Sequence, residues 1–168
     1  MALTQPARIG DMRDDTPATP ASLRRLPSRM LAGVAMHTDR LVTEGLARAD
    51  ARKWHYAALV ALHEAGPASQ AELSKRTGIY RSDLVTVINE LAERGFVERA
   101  PDPADRRRNV ITLTPEGLGQ VRRLQELIAE LQDEVLAPLS RPEREQFSGF
   151  LARLLEHHAG RGSSPEQG

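Results

Sequence analysis

Apolar residues recur at helical spacing through most of this chain, and the exceptions mark its turns. From about Pro27 or Ser28 to Ala47, the positions Met30, Leu31, Val34, Leu41 and Val42 give one apolar side, so a first helix is expected there. Asp50 is placed to cap a second helix that carries Trp54, Ala58, Leu59 and Leu62 until Gly66 and Pro67 stop it. Ser69-Gln70-Ala71-Glu72 has the spacing of a capping box, in which hydroxyl and carboxylate each satisfy an orphan backbone N–H. Gly78 can then end that helix in the left-handed conformation. A further helix is expected from near Arg81 or Ser82 to Gly95, with Leu84, Val87, Ile88 and Leu91 at i, i+3, i+4 and i+7 facing inward. After Gly95 the period changes to two. Phe96-Val97-Glu98-Arg99 and Val110-Ile111-Thr112-Leu113 alternate as strands do, and Pro101, Asp102, Pro103 and Asp105 break the pattern into a loop between them. A long helix from Pro115 to about Ala137 follows. Its Val121, Leu124, Ile128, Leu131 and Val135 alternate spacings of three and four, a seam expected to meet a second subunit. Ser140-Arg141-Pro142-Glu143 is a second capping box, and the last helix carries Phe147, Phe150, Leu151, Leu154 and Leu155.

This order predicts a mainly α (α+β) fold. Two short helices joined by one turn, then a hairpin, make a winged helix-turn-helix with a small antiparallel β-hairpin wing and an added helical dimerisation layer. One domain is expected over 21–158, with 50–114 as the winged helix and 21–49 and 115–158 as the helical dimerisation region. Pro6, Pro17 and Pro20 among polar residues predict a disordered arm over 1–20, and a disordered tail is expected over 159–168. Trp54, the single tryptophan, is expected to pack beneath the winged helix.

The inward stripe leaves Ser82, Thr86 and Asn89 on the opposite face of its helix, with Asp83 and Val85 on the flanks. These short groups suit base edges in a major groove. Hydroxyls bond several bases, an amide pairs with adenine and a valine touches a thymine methyl. Asp83 can accept from cytosine or cap the helix. Arg81, the helix start at Ser69 and Gln70, and the loop residues Arg106 and Arg108 are candidates for phosphate contacts, and the projecting basic loop can reach the adjacent minor groove.

Two stretches carry a family resemblance: Leu91-Ala92-Glu93-Arg94-Gly95-Phe96-Val97, and Asp102-Pro103-Ala104-Asp105-Arg106-Arg107 followed by Ile111-Thr112-Leu113-Thr114-Pro115-Glu116-Gly117. From about Trp54 through the helix after Gly117 the chain resembles the MarR family of bacterial transcriptional regulators. The resemblance implies a symmetric dimer on a near-palindromic operator, usually acting as a repressor. It implies that Arg107 sits at the wing tip and enters the minor groove with Asp105 holding its side chain, while Arg106 and Arg108 contact the backbone. It also implies a small-molecule pocket between winged helix and dimer layer, for which His37, Trp54, His55 and Leu59 are the candidates.

Composition narrows these readings. The 168 residues hold 23 basic and 23 acidic side chains, and a net charge of zero first argues against nucleic acid. What matters is where the charge sits. Arg81, Arg99 and Arg106 to Arg108 gather at the proposed DNA face, whereas Glu126, Glu130, Asp133 and Glu134 lie in a later helix. The neutral balance, with Asp83, Glu90 and Glu93 on the recognition helix, keeps one alternative open: a winged-helix protein-protein docking module without DNA binding. The chain has no cysteine, which removes disulfides, thiolate zinc sites and thiol-based sensing. The first residues lack the apolar run of a signal peptide, so a cytoplasmic protein is expected. His63-Glu64 begins like a zinc-protease motif, but Pro67 stands where the second histidine belongs. Nothing in the spacing requires His37, His55, His63 and Glu44 to converge on a metal. Gly117-Leu118-Gly119 lacks the third glycine of a dinucleotide loop. No catalytic signature is present, so neither an enzyme nor a cofactor is expected.

Overall fold

The computed structural model describes residues 20–101 and 109–159. The expected arm and tail, and the loop bearing Asp105, Arg106, Arg107 and Arg108, therefore lie outside the described residues. The elements run α1 (Ala21–Arg24), α2 (Pro27–Arg48), α3 (Lys53–Ala65), β1 (Ala68–Ser69), α4 (Gln70–Thr77), α5 (Arg81–Glu93), β2 (Val97–Pro101), β3 (Asn109–Leu113), α6 (Pro115–Val135) and α7 (Arg141–Ala159). This is the expected winged helix-turn-helix, with one addition. The sheet has three antiparallel strands in the order β1-β3-β2, not two. Ala68 faces Ile111 and Ser69 faces Val110, while Val97, Arg99 and Pro101 face Leu113, Ile111 and Asn109.

Helix ends follow from local chemistry. The Ser69 N–H donates to Glu72 Oε2 at 2.8 Å and the Glu72 N–H donates to Ser69 Oγ at 3.3 Å, the predicted box. At the other end of α4, Gly78 takes φ 71°. The stop of α5 is a Schellman turn. Gly95, at φ 72°, donates to the Ala92 carbonyl and Phe96 donates to that of Leu91, both at 2.9 Å.

Asp50 departs from expectation. It does not cap α3, whose N-cap is Arg52. It sits at φ 51° and closes α2, with its N–H on the Ala47 carbonyl and the Ala51 N–H on that of Leu46, both at 2.9 Å. A left-handed C-cap thus carries an aspartate where glycine is usual, because Asp tolerates that region better than most residues.

The chain divides into two compact units, 1–131 and 132–168. In the first, Leu46, Leu59, Leu73, Leu84, Ile88, Leu91, Ile111 and Leu124 form a fully buried centre. The inward positions of α3 are His55, Ala58, Leu59 and Leu62, again at i, i+3, i+4 and i+7. Trp54 is one residue, roughly 100°, off that stripe and remains 47% exposed. It therefore does not pack beneath the winged helix; the neighbouring histidine takes the inward position. The α6 seam also differs from expectation. Val121, Leu124 and Leu131 are buried and Ile128 half-buried within this chain, so little of the seam up to Leu131 is left for a partner. Besides Trp54, Tyr80 and Val85, the large apolar side chains this unit leaves uncovered lie along α1, α2 and the turn between them, where Leu23, Leu26, Met30, Leu31, Val34 and Met36 are exposed. In the second unit α7 buries none of its residues, and Phe150, Leu154 and Leu155 are exposed. Its start is fixed by the Ser140 N–H donating to Glu143 Oε2 at 2.7 Å, and by Arg144 pairing with Asp133 at 2.6 Å.

The base of the wing is tied to α6 by Thr114. Its N–H donates to the Phe96 carbonyl at 3.1 Å and its hydroxyl to the Gly95 carbonyl at 2.6 Å. The same hydroxyl accepts from the Gly117 N–H at 2.9 Å, so Thr114 caps α6. A side chain at Gly117 would overlap the Phe96 carbonyl, whereas one at Gly45 would meet only the movable Leu131 side chain. Gly117→Ala is therefore expected to destabilise the fold by about 1–3 kcal/mol, and more than Gly45→Ala does. Denaturant titration of the two variants checks the order.

Candidate nucleic-acid interface

Leu84, Val87, Ile88 and Leu91 are all buried, so the rotation of α5 about its axis is fixed. Its outer face then presents Ser82, Val85 and Thr86 to solvent, with Asp83 and Asn89 half-buried at its edges and Arg81 exposed at its start. Between α5, the start of α4 and the sheet lies an open cleft of about 510 Å³. Ser69, Gln70 and Ala71 form one wall, Arg81 and Val85 a second, and Arg99, Asn109 and Ile111 the third. Four of the residues singled out in the sequence, Ser69, Gln70, Arg81 and Val85, thus share one cavity. Ser82, Asp83, Thr86 and Asn89 lie on the same helix outside its lining. Ser69 is buried and its hydroxyl and N–H both serve the α4 cap, so it shapes the cleft wall.

Arg99 and Asn109 complete the cleft. Arg99 opposes Ile111 across the strand pair, and Asn109 opposes Pro101 at the end of β3. The distribution of charge along the sequence places Arg99 among the cations of the proposed DNA face. Asn109 carried no such signal, because its position is defined only by the pairing register. Among the described residues, two arginines and no carboxylate line this cleft. Net neutrality of the chain thus coexists with a locally cationic surface.

Two of the three acids of α5, Glu90 and Glu93, are held elsewhere. A second cavity, about 390 Å³, is lined by Ala47, Asp50 and Ala51, by Arg52 and His55, and by Glu90, Glu93 and Arg94 of the recognition helix and its cap. Arg94 donates to the Asp50 carbonyl at 2.6 Å, pairs with its carboxylate at 3.0 Å, and stacks over the Phe96 ring at 5.0 Å. Arg52 forms an ion pair with Glu90, and His55 Nε2 lies 2.7 Å from Glu90 Oε2. The Arg52 N–H donates to His55 Nδ1 at 3.3 Å. Nδ1 is therefore the acceptor, and the ring proton sits on Nε2 facing Glu90.

Of the four candidate ligand residues, His55 alone lines this cavity. His37 is exposed on α2, Trp54 is 47% exposed on α3 and Leu59 is fully buried in the core. Among the described residues no group of three His, Asp or Glu side chains could hold a metal ion. No described helix is long and apolar enough to cross a membrane.

Two helices at a tight turn, a strand pair beside them and an arginine-lined cleft between define a winged helix-turn-helix protein. The model of the family described as "MarR family" matches residues 51–108. A "putative transcriptional regulatory protein for hcr operon" from Thauera aromatica is 35% identical over 86 residues, covering 51% of this chain and 52% of that protein. The match thus spans about half the length of that curated relative. The crystal structure of a probable transcriptional regulator from Pseudomonas aeruginosa superposes with a TM-score of 0.68 at 31% identity, covering 79% of this chain and 98% of that one. The PcaV transcriptional regulator from Streptomyces coelicolor, in complex with its natural ligand, gives a TM-score of 0.67 at 28% identity over 82% of this chain and 97% of that one. The chain belongs to the MarR family of transcriptional regulators. These relatives are regulators rather than enzymes.

Burial, then the nearby Arg52 and Arg94 guanidinium groups, push His55 down from 6.5 to about 4, against a smaller opposing pull from Asp50. Folding thus lowers its proton affinity, and the unfolded chain holds more protons between those two values. The stability this group contributes is present above about pH 6.5 and is lost as pH falls through about 4. Thermal midpoints at pH 7, 5.5 and 4.5 are expected to fall more steeply for the wild type than for His55→Gln, which cannot titrate.

Proposed function

We propose that the protein is a cytoplasmic, sequence-specific DNA-binding regulator that acts as a homodimer on a near-palindromic operator, as a repressor. The observation that carries this reading is the cleft beside α5, walled by Arg81 and Arg99 and lined by no carboxylate among the described residues. Phosphates supply most of the affinity of a DNA-binding protein, and cations facing a groove-sized surface meet that demand. Arg81, Arg99 and the α4 start at Gln70 hold the backbone. Ser82, Val85, Thr86 and Asn89 read base edges in the major groove, with Asp83 at the margin. Arg107, steadied by Asp105, enters the minor groove, and Arg106 and Arg108 contact phosphates.

The uncovered apolar side chains of α1 and α2, and separately those of α7, support dimerisation. A second copy is the partner that buries the same patches twice and sets two recognition helices about one helical turn, roughly 34 Å, apart. A small-molecule effector then releases DNA by favouring a spacing that misfits the two grooves. The ligand-bound PcaV structure supports this part of the reading.

Selection of duplexes from a random pool tests the proposal, since it returns sequence, symmetry and half-site interval together. A chain that enriches nothing, and leaves the anisotropy of random duplex unchanged at low salt, is a docking module and not a DNA reader. Two substitutions separate the contact types. Arg99→Ala is expected to weaken binding to all sequences alike and to lower the salt slope by about one. Thr86→Ala is expected to leave that slope unchanged and alter the selected sequence. Identical sequence logos for Thr86→Ala and wild type would remove this helix from base reading.

A further inference from the structure

The recognition helix is held by two kinds of contact. Its four buried apolar side chains fix which face points outward. Apolar packing is non-directional, however, and resists rotation better than a slide of a few tenths of an ångström. Base reading is less tolerant, because paired donors and acceptors must sit within about half an ångström of their targets. The directional contact on α5 is at Glu90, one residue beyond Asn89 and one turn beyond Thr86.

Resting on the DNA-reading function proposed above, we infer that His55, acting through Glu90, is a positioning residue that sets the register of the recognition helix and thereby the discrimination between operator and random DNA. His55 is buried on α3, and its ring is oriented from behind by the Arg52 N–H on Nδ1. Its Nε2–H faces Glu90 Oε2 at 2.7 Å, an oxygen the Arg52 guanidinium also holds, and that guanidinium lies 3.2 Å from Nε2 itself. The charged groups around it come from every neighbouring segment: Arg52 of the α3 N-cap, Glu90 and Glu93 of α5, Arg94 of the α5 cap and Asp50 of the turn after α2. Burial first, and the two guanidinium groups after it, keep the ring neutral, so the proton on Nε2 is a donor at neutral pH. A donor on a rigid helix, aimed at one carboxylate, locates Glu90 along the α5 axis in a way that leucines cannot.

The test uses the full chain and a duplex selected by the wild type, with random duplex as reference, well below each variant's unfolding temperature. His55→Leu is expected to lower specific affinity about tenfold and random-duplex affinity less than about twofold. His55→Gln, whose amide nitrogen falls near Nε2, is expected to restore the ratio to within about threefold of wild type. A packing role alone would lower the unfolding temperature and leave the ratio unmoved. An unchanged ratio in His55→Leu overturns the inference, as does His55→Gln failing as badly as His55→Leu. If His55→Leu does not fold, Glu90→Ala removes the same bond from the surface side and must show the same tenfold loss; a wild-type ratio there also overturns it. A wild type that selects no duplex defeats the DNA reading itself, a result distinct from loss in the variants alone.

Discussion

The burial of Leu84, Val87, Ile88 and Leu91 is the constraint on which the rest of this structure depends. Each fully buried side chain of this kind contributes about 1.5–3 kcal/mol relative to exposure, so the four together outweigh any surface interaction along α5. Rotating the helix by one residue would expose the stripe and bury Thr86 or Val85 in its place. The side chains that face outward are therefore chosen by those that cannot. Arg81 and Val85 reach the cleft because the stripe leaves them no other direction. Glu90 and Arg94 meet α3 and the turn after α2 for the same reason.

A second constraint explains why two separated stretches of sequence look like parts of one motif. Gly95 and Phe96 form the turn after α5, and Thr114 and Gly117 form the start of α6. They are about twenty positions apart in the chain and adjacent in space. Thr114 is at once the cap of α6 and the donor to both carbonyls of the turn. Gly117 is glycine because the Phe96 carbonyl occupies the space a β-carbon would need. The run from Thr114 to Gly117 is a joint, and its likeness to a nucleotide-binding loop comes from glycine serving close approach in both.

Much of this was legible in the sequence because it obeys local rules. Both capping boxes, the stripe of α5, the glycine stops and the alternation of β2 and β3 depend on residues within a turn or a strand of one another. What escaped depends on partners far along the chain. β1 has two residues, too few to alternate, and exists because β3 offers it an edge. Asp50 has the composition of an N-cap, yet the Schellman turn of α2 claims it. Trp54, the single tryptophan, is expected inward, but spacing gives that place to His55, whose polar ring is acceptable there because Arg52 and Glu90 satisfy both nitrogens. The α6 seam has the period of an intersubunit contact, and period alone does not say whose core it enters; here Val121, Leu124 and Leu131 enter this chain's own. At the site, side-chain type and helical phase located the face of α5, whereas Asn109 and the Glu90 network required the register and the packing.

One consequence follows from the shared residue Ser69. It ends β1 and opens α4 with no connecting loop, so the hairpin and the helix pair are joined without slack. Tilting one against the other means breaking strand pairing or unseating a helix start. On the DNA-reading function proposed above, a reading head built this stiffly does not mould itself to a curved groove and leaves the yielding to the duplex. Sequences rich in compliant pyrimidine–purine steps then pay a smaller bending cost, and preference can arise at base pairs that no side chain touches.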